Sequence, residues 1–109
     1  MERQDVKKYI AGVIREELIG RGLTVKRMVL FGSQAQGSSR PDSDWDFLVS
    51  IDKELEFWEK AKISTVIQRQ LARHRISADI IIKSEGQILN EQNNVCLITY
   101  YALKHGVSA

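Results

Sequence analysis

Apolar residues recur every three or four positions near the start of the chain: Val6, Ile10, Val13 or Ile14, and Leu18. This spacing places one apolar stripe along a helix, so it predicts a helix from Glu2 to Ile19. Gly20 and Gly22 follow, and glycine favours the backbone conformation that ends a helix. The first element of the chain is therefore predicted to be an amphipathic helix.

Two segments with the pattern of strands come next. The apolar segment from Val25 to Phe31 stops abruptly at Gly32-Ser33, which predicts a buried strand that ends in a tight turn. Gln34-Ala35-Gln36 then has the composition of a first helical turn. After several turn-forming residues, Asp44 to Ile51 alternates with apolar side chains on one face: Trp45, Phe47, Val49 and Ile51. This alternation predicts a second strand.

The middle of the chain predicts a helix and a third strand. Asp52 has the side chain of an N-cap for a helix that runs into the early seventies. The segment from Ile76 to Ile82 is then mostly apolar and β-branched, and Asp79 interrupts it. We therefore predict a third strand that carries one acidic residue.

The end of the chain predicts a pair of short helices. Ser84 and Gln87 have the spacing of a capping box, and Asn94 is a candidate cap for a last helix that ends at Gly106. Amphipathic helices need a sheet face to cover their apolar stripes. The fold class predicted from this order is α/β (α+β), with a small mixed β-sheet and helices on one side of it.

Length and composition favour one domain that covers residues 1–109, because 43% of these 109 residues are hydrophobic. The net charge of +2 gives little support for a nucleic-acid partner, which stays an unfavoured alternative. One cysteine, Cys96, excludes an intrachain disulfide bond and is predicted to be a small core residue. No apolar run is long enough to span a membrane. These features predict a soluble protein of the cytoplasm.

Acidic residues on the second and third predicted strands are the candidate metal ligands. Asp44 and Asp46 are two positions apart, so strand alternation places both carboxylates on one face. Paired carboxylates are ligands that Mg²⁺ prefers alongside substrate phosphates. If the third strand lies beside the second, Asp79 adds a third carboxylate.

The turn at Gly32-Ser33 is a candidate phosphate site. It joins a buried strand to a short helix, so backbone N–H groups and a hydroxyl are exposed there, and glycine lets a phosphate approach the main chain. A phosphate site beside two or three carboxylates fits a nucleoside triphosphate bound with two metal ions. The reaction that this combination predicts is nucleotidyl transfer.

The segment from Phe31 to Val49 carries a family resemblance. Gly32-Ser33, ten further residues and then Asp44-Trp45-Asp46 resemble the signature of the DNA polymerase β-like nucleotidyltransferase superfamily, and the longer segment is similar to its minimal nucleotidyltransferases. The resemblance covers about Val25 to Lys83. It implies the nucleotidyltransferase fold.

The resemblance also implies a role for each candidate residue. Metal ions would bind to Asp44, Asp46 and Asp79, of which Asp79 would also help to activate the acceptor hydroxyl. The triphosphate would be held by Gly32 and Ser33. The family often has an arginine where this chain has Gln36, which leaves Arg40 as the nearest basic candidate for the nucleotide. Two Mg²⁺ ions and ATP, as the nucleotide donor, are the implied cofactors.

Many minimal nucleotidyltransferases are paired with a HEPN-type toxin. The resemblance therefore implies an antitoxin that transfers AMP to a tyrosine hydroxyl of such a partner, within a hetero-oligomer. Two alternatives remain. One is a catalytically inactive module that binds nucleotide or blocks the toxin, which the acids Asp44, Asp46 and Asp79 disfavour. The other is a transferase that acts on RNA or a small molecule.

Overall fold

The computed structural model describes residues 2–37, 43–95 and 97–109, so Cys96 lies outside the described residues. The elements are α1 (Arg3–Gly20), β1 (Val25–Phe31), α2 (Ser33–Gln36), β2 (Trp45–Ile51), α3 (Phe57–Ala72), β3 (Ala78–Ser84), α4 (Glu85–Glu91), α5 (Ile98–His105) and β4 (Val107–Ser108). The predicted order through the final helix pair is confirmed. β4 was not predicted from the sequence, because two residues are too few to show a strand pattern.

The described strands form one mixed sheet in the order β3-β2-β1-β4. β1 is antiparallel to β2 and to β4, whereas β2 is parallel to β3. The predicted mixed sheet is therefore confirmed, as is the placement of the third strand beside the second. Because of these directions, the end of β1 meets the starts of β2 and β3 at one edge of the sheet.

Helices cover both faces of the sheet, which corrects the prediction that they lie on one side. The larger core cluster joins α1 and α3 to one face, through residues that include Ile14, Ile67 and Phe47. A smaller cluster joins α4 and α5 to the opposite face, through Ile88 and Ala102. Most of β1 and β2 is consequently buried on both faces. An unbroken apolar segment is typical of such strands.

One of the predicted helix caps is present. Ser84 Oγ accepts a hydrogen bond from the backbone N–H of Gln87 at 3.1 Å, and the Gln87 side chain accepts one from the backbone N–H of Ser84 at 3.0 Å. This reciprocal pair is the predicted capping box of α4. It forms from a local sequence pattern and needs no distant partner.

Two other predicted caps are wrong. The carboxylate of Asp52 accepts a hydrogen bond from the backbone N–H of Thr24 at 2.9 Å, and α3 begins only after Glu56. α5 begins after Leu97, so Asn94 lies outside that helix. The Asp52 side chain, which the local pattern predicted to cap α3, thus binds the backbone of a residue 28 positions away. Gly106, in contrast, does end α5 as predicted.

We expect Gly106→Ala to destabilise the fold by about 1–3 kcal/mol, as overpacking typically does. A Cβ at Gly106 would overlap Val29 Cγ1 and the carbonyl oxygen of Ala102, and it would lie 2.9 Å from the carbonyl oxygen of Leu30. Urea unfolding measures the change. Gly12→Ala is the control, because a Cβ there meets nothing within 4 Å inside helix α1, and we expect it to stabilise the protein by about 0.5–1 kcal/mol. An unchanged stability of Gly106→Ala would contradict this packing.

Candidate active site

The candidate site lies at the edge of the sheet where β1 ends and where β2 and β3 begin. Phe31 at the end of β1 pairs with Asp46 of β2, and Asp46 in turn pairs with Asp79 of β3. Paired residues on neighbouring strands have side chains on the same face of the sheet. The two carboxylates that the sequence placed on separate strands are therefore neighbours.

Burial and charge act most strongly on Asp46. Asp46 is half-buried, whereas Asp44 and Asp79 are exposed, and Asp44 directly precedes β2. Burial raises the pKa of the Asp46 carboxyl, and the nearby charges of Asp79 and Asp44 raise it further. The charges of both exposed acids consequently act on the Asp46 carboxyl at this edge of the sheet.

Gly32 allows the end of β1 to approach Asp46 closely. Its φ of 77° and ψ of −160° lie in a backbone region that is almost restricted to glycine. A Cβ built on Gly32 would overlap Oδ2 of Asp46 and would lie 3.3 Å from Cγ of that residue. Ser33, half-buried, is the first residue of α2 directly after Gly32. A glycine is therefore required here for two separate reasons, the backbone conformation and the space.

The carboxylates of Asp44, Asp46 and Asp79 are near one another, but in this conformation they do not point toward a common metal position. No three His, Cys, Asp or Glu side chains within the described ranges are arranged to hold a metal ion. Arg40, the predicted basic contact for the nucleotide, lies outside the described residues. The predicted residues that the structure brings to one edge of the sheet are thus Gly32, Ser33, Asp44, Asp46 and Asp79.

The family of the chain follows from a comparison with known domains. The nucleotidyltransferase domain family matches residues 12–103, which include β1, β2 and β3. This chain belongs to the nucleotidyltransferase domain family. No curated protein sequence matches it significantly.

Solved structures share this nucleotidyltransferase fold. A crystal structure of a toxin–antitoxin complex with AMP-PNP has a TM-score of 0.63 and 16% identity, over 89% of this chain and 69% of that chain. A toxin–antitoxin complex of MntA and HpeT has a TM-score of 0.61 and 13% identity, over 99% and 72%. A structure described as a minimal nucleotidyltransferase has a TM-score of 0.61 and 21% identity, over 98% and 95%. At these identities, the likeness establishes the fold.

A buried glutamine ties α2 of the nucleotidyltransferase domain to the segment that leads into β2. Gln34 is 5% exposed, and its Nε2 donates a hydrogen bond to the carbonyl oxygen of Ser43 at 3.1 Å. Its Oε1 accepts a hydrogen bond from Nε of Arg3 at 3.2 Å. Since Ser43 directly precedes Asp44, this side chain connects the turn after Gly32 to the acidic pair.

A second glutamine ties α2 to the last helix. Nε2 of Gln36 donates a hydrogen bond to the hydroxyl oxygen of Tyr101 at 3.0 Å. Neither Gln34 nor Tyr101 was predicted from the sequence to be a site residue. Tyr101 is 65 positions from Gln36, and Arg3 is 31 positions from Gln34. No local spacing in the sequence could have indicated these contacts.

Proposed function

We propose that this chain is a divalent-metal-dependent nucleotidyltransferase that moves AMP from ATP to a hydroxyl group of a partner toxin, and so acts as an antitoxin. The observation that carries the proposal is the arrangement around Asp46. This carboxylate pairs with Asp79 across neighbouring strands, and the backbone of Gly32 lies against it. The proposed metal ligands thus lie directly beside the Gly32-Ser33 turn, where glycine would let a phosphate approach the main chain.

The three acids have the donor chemistry of a magnesium site. Asp44, Asp46 and Asp79 offer only carboxylate oxygens, which suit a hard cation that also binds substrate phosphates. Asp44 and Asp79 are exposed, so their side chains can change rotamer without disturbing the core. Two bound Mg²⁺ ions would neutralise charge on the phosphates and on the attacking and leaving oxygens.

The proposed reaction assigns a separate task to each group of residues. The acceptor oxygen forms a bond to the α-phosphorus of ATP, the bond from that phosphorus to the bridging oxygen breaks, and pyrophosphate leaves. The carboxylate of Asp79 takes the proton of the acceptor hydroxyl. Gly32 and Ser33 hold the triphosphate in line. Asp44 and Asp46 would bind both metal ions, and Asp79 would also bind the ion near the acceptor. A contact from Arg40 to the nucleotide remains a prediction.

Two similar structures support a toxin as the partner and ATP as the donor. Both are toxin–antitoxin complexes, and one of them contains AMP-PNP, an analogue of ATP. In the other, two aspartates two positions apart are replaced by glutamate, which is the spacing of Asp44 and Asp46 here. The HEPN type of toxin and its acceptor tyrosine are what the sequence resemblance implies, and a cytoplasmic location stays a prediction from the composition of the chain. No helix among the described residues is long and apolar enough to cross a membrane.

A label-transfer experiment tests the proposed function. The purified chain is incubated with Mg²⁺ and α-phosphate-labelled ATP in a lysate from its source organism, beside a variant that carries Asp44→Asn and Asp46→Asn. We expect label on one protein band with the wild type and none with the variant. Mass spectrometry of that band then identifies the partner and the modified residue. Label on RNA or on a small molecule would contradict the toxin acceptor, and no transfer at all would favour a non-catalytic binding module.

The role of Asp79 gives a separate prediction. We expect Asp79→Asn to lower kcat by about 10²- to 10⁴-fold, the range typical of a lost general base. We also expect a nearly unchanged KM for ATP, because Asp79 acts on the acceptor. Steady-state kinetics with the identified acceptor measures both constants. If KM for ATP rises while kcat stays constant, Asp79 binds nucleotide and is not the base.

A further inference from the structure

Tyr101 connects the last helix to the strand end at which the candidate site begins. Its ring packs edge-on against Phe31, with the ring centroids 6.4 Å apart and the planes at 76°. Phe31 pairs with Asp46 and directly precedes Gly32. The Tyr101 hydroxyl accepts the hydrogen bond from Gln36, the last residue of α2. One side chain thus contacts residues on both sides of the Gly32-Ser33 turn.

The helix that carries Tyr101 is well anchored. Thr99 and Ala102 of α5 are completely buried, and Thr99 Oγ1 donates a hydrogen bond to Oε1 of Glu91 at 2.8 Å. Glu91 also forms an ion pair with Lys83 of β3 at 2.9 Å. These contacts tie α5 to α4 and to the sheet. Tyr101 therefore extends from a fixed element toward α2.

The short helix α2 needs such contacts from outside. It has four residues, and an isolated helix of this length is unstable in water, because nucleation costs more than so few hydrogen bonds return. Gln34 ties α2 to the segment before β2, and Gln36 ties it to α5. The Gln36 contact is solvent-exposed, so water competes for it and its effect on binding is modest.

We propose that Tyr101 is a positioning residue for nucleotide binding, which acts through Gln36 to hold the Gly32-Ser33 turn in place for the triphosphate. The proposal rests on the proposed function, since it assigns the triphosphate to that turn. It adds a residue of the last helix to the site. Tyr101 itself does not need to touch the nucleotide.

Tyr101→Phe tests the link, since it removes the hydroxyl and keeps the ring against Phe31. We expect the Kd for ATP with Mg²⁺, measured by calorimetry, to rise about two- to fivefold, as loss of one exposed hydrogen bond implies. KM for ATP should rise equally and kcat should not change, because the turn holds the triphosphate in the ground state and in the transition state alike. A purely structural role for Tyr101 would lower Tm without changing Kd.

The neighbouring tyrosine provides a matched control. The Tyr100 hydroxyl accepts a hydrogen bond from Nζ of Lys104 at 3.1 Å, within the same helix. Tyr100→Phe therefore removes an equivalent hydroxyl without touching α2, and we expect an unchanged Kd. Gln36→Ala should match Tyr101→Phe, and the double variant should bind ATP no more weakly than either single variant, because both remove the same hydrogen bond.

The outcomes separate this proposal from the proposed function. A wild-type protein that binds no ATP in the presence of Mg²⁺ would overturn both. If the wild type binds ATP and folded Tyr101→Phe binds it equally well, only the role of Tyr101 is overturned. Additive losses in the double variant would also overturn it, since they would mean that Tyr101 and Gln36 act separately.

Discussion

Replacing Asp46 with asparagine is expected to reduce nucleotidyl transfer by about a thousandfold or more, because the proposed chemistry depends on metal ions that neutralise charge in the transition state. Asp46 is the acid closest to the Gly32 backbone and lies in register with Asp79. An amide of the same shape keeps the packing but weakens metal binding. Transfer of α-phosphate label to the acceptor, followed over time, measures the loss.

The same substitution should stabilise the metal-free protein. In the wild type, Asp46 is half-buried beside two other carboxylates, and these surroundings raise its pKa. The folded state therefore binds the proton of the Asp46 carboxyl more tightly than the unfolded chain does. As pH rises through the pKa of Asp46, the ionised carboxylate consequently lowers the free energy of unfolding. Without metal ions at neutral pH, we expect Asp46→Asn to raise Tm by on the order of 2 °C. This gain should shrink as pH falls through the same range.

Addition of Mg²⁺ should make the Tm of the wild type higher than that of Asp46→Asn. An ion that binds only the folded state raises Tm of the wild type, and it should raise Tm of Asp46→Asn much less. Asp5→Asn serves as the control, because it makes the same chemical change on an exposed position of α1. We expect this control to retain transfer and the full response to Mg²⁺. Equal responses of the wild type and Asp46→Asn to Mg²⁺ would contradict a metal site at Asp46.

The second large effect is expected from Gly32→Ala. The added Cβ would overlap Oδ2 of Asp46, and the backbone of residue 32 would be strained at its φ of 77°. To remove this overlap, either the Gly32-Ser33 turn or the Asp46 carboxylate must move, and both belong to the proposed site. We expect transfer to fall by about a hundredfold or more, since small misplacements in a site can cost that much, and stability to fall by about 1–3 kcal/mol.

Gly22→Ala separates the two causes of this loss. Gly22 has a similar φ of 79°, lies just beyond α1, and would have nothing within 4 Å of an added Cβ. We expect it to lower the free energy of unfolding by about 1 kcal/mol and to leave transfer intact. Measurement of unfolding and of transfer for both variants distinguishes strain from overlap. If Gly32→Ala retains full transfer, the close approach of Gly32 to Asp46 is not needed for activity.

Local patterns in the sequence were sufficient to predict most of the helices and strands. The spacing of apolar residues predicted α1, the alternation after Asp44 predicted β2, and the pair Ser84 and Gln87 predicted the cap of α4. Each of these features depends on neighbours within a few positions. The candidate acids were likewise visible in the sequence, because a carboxylate inside an apolar strand such as that around Asp79 departs from the pattern of its neighbours.

The tertiary structure alone decided which distant residues meet. Register placed Asp79 beside Asp46, and packing of α4 and α5 on the second face of the sheet placed Tyr101 beside α2. Asp52 shows the same limit, since its carboxylate binds the backbone of Thr24 although its sequence context favoured a helix cap. A local pattern specifies what a side chain can bind. Which partner it meets depends on strand order and helix packing, because these bring together residues that are far apart in the chain.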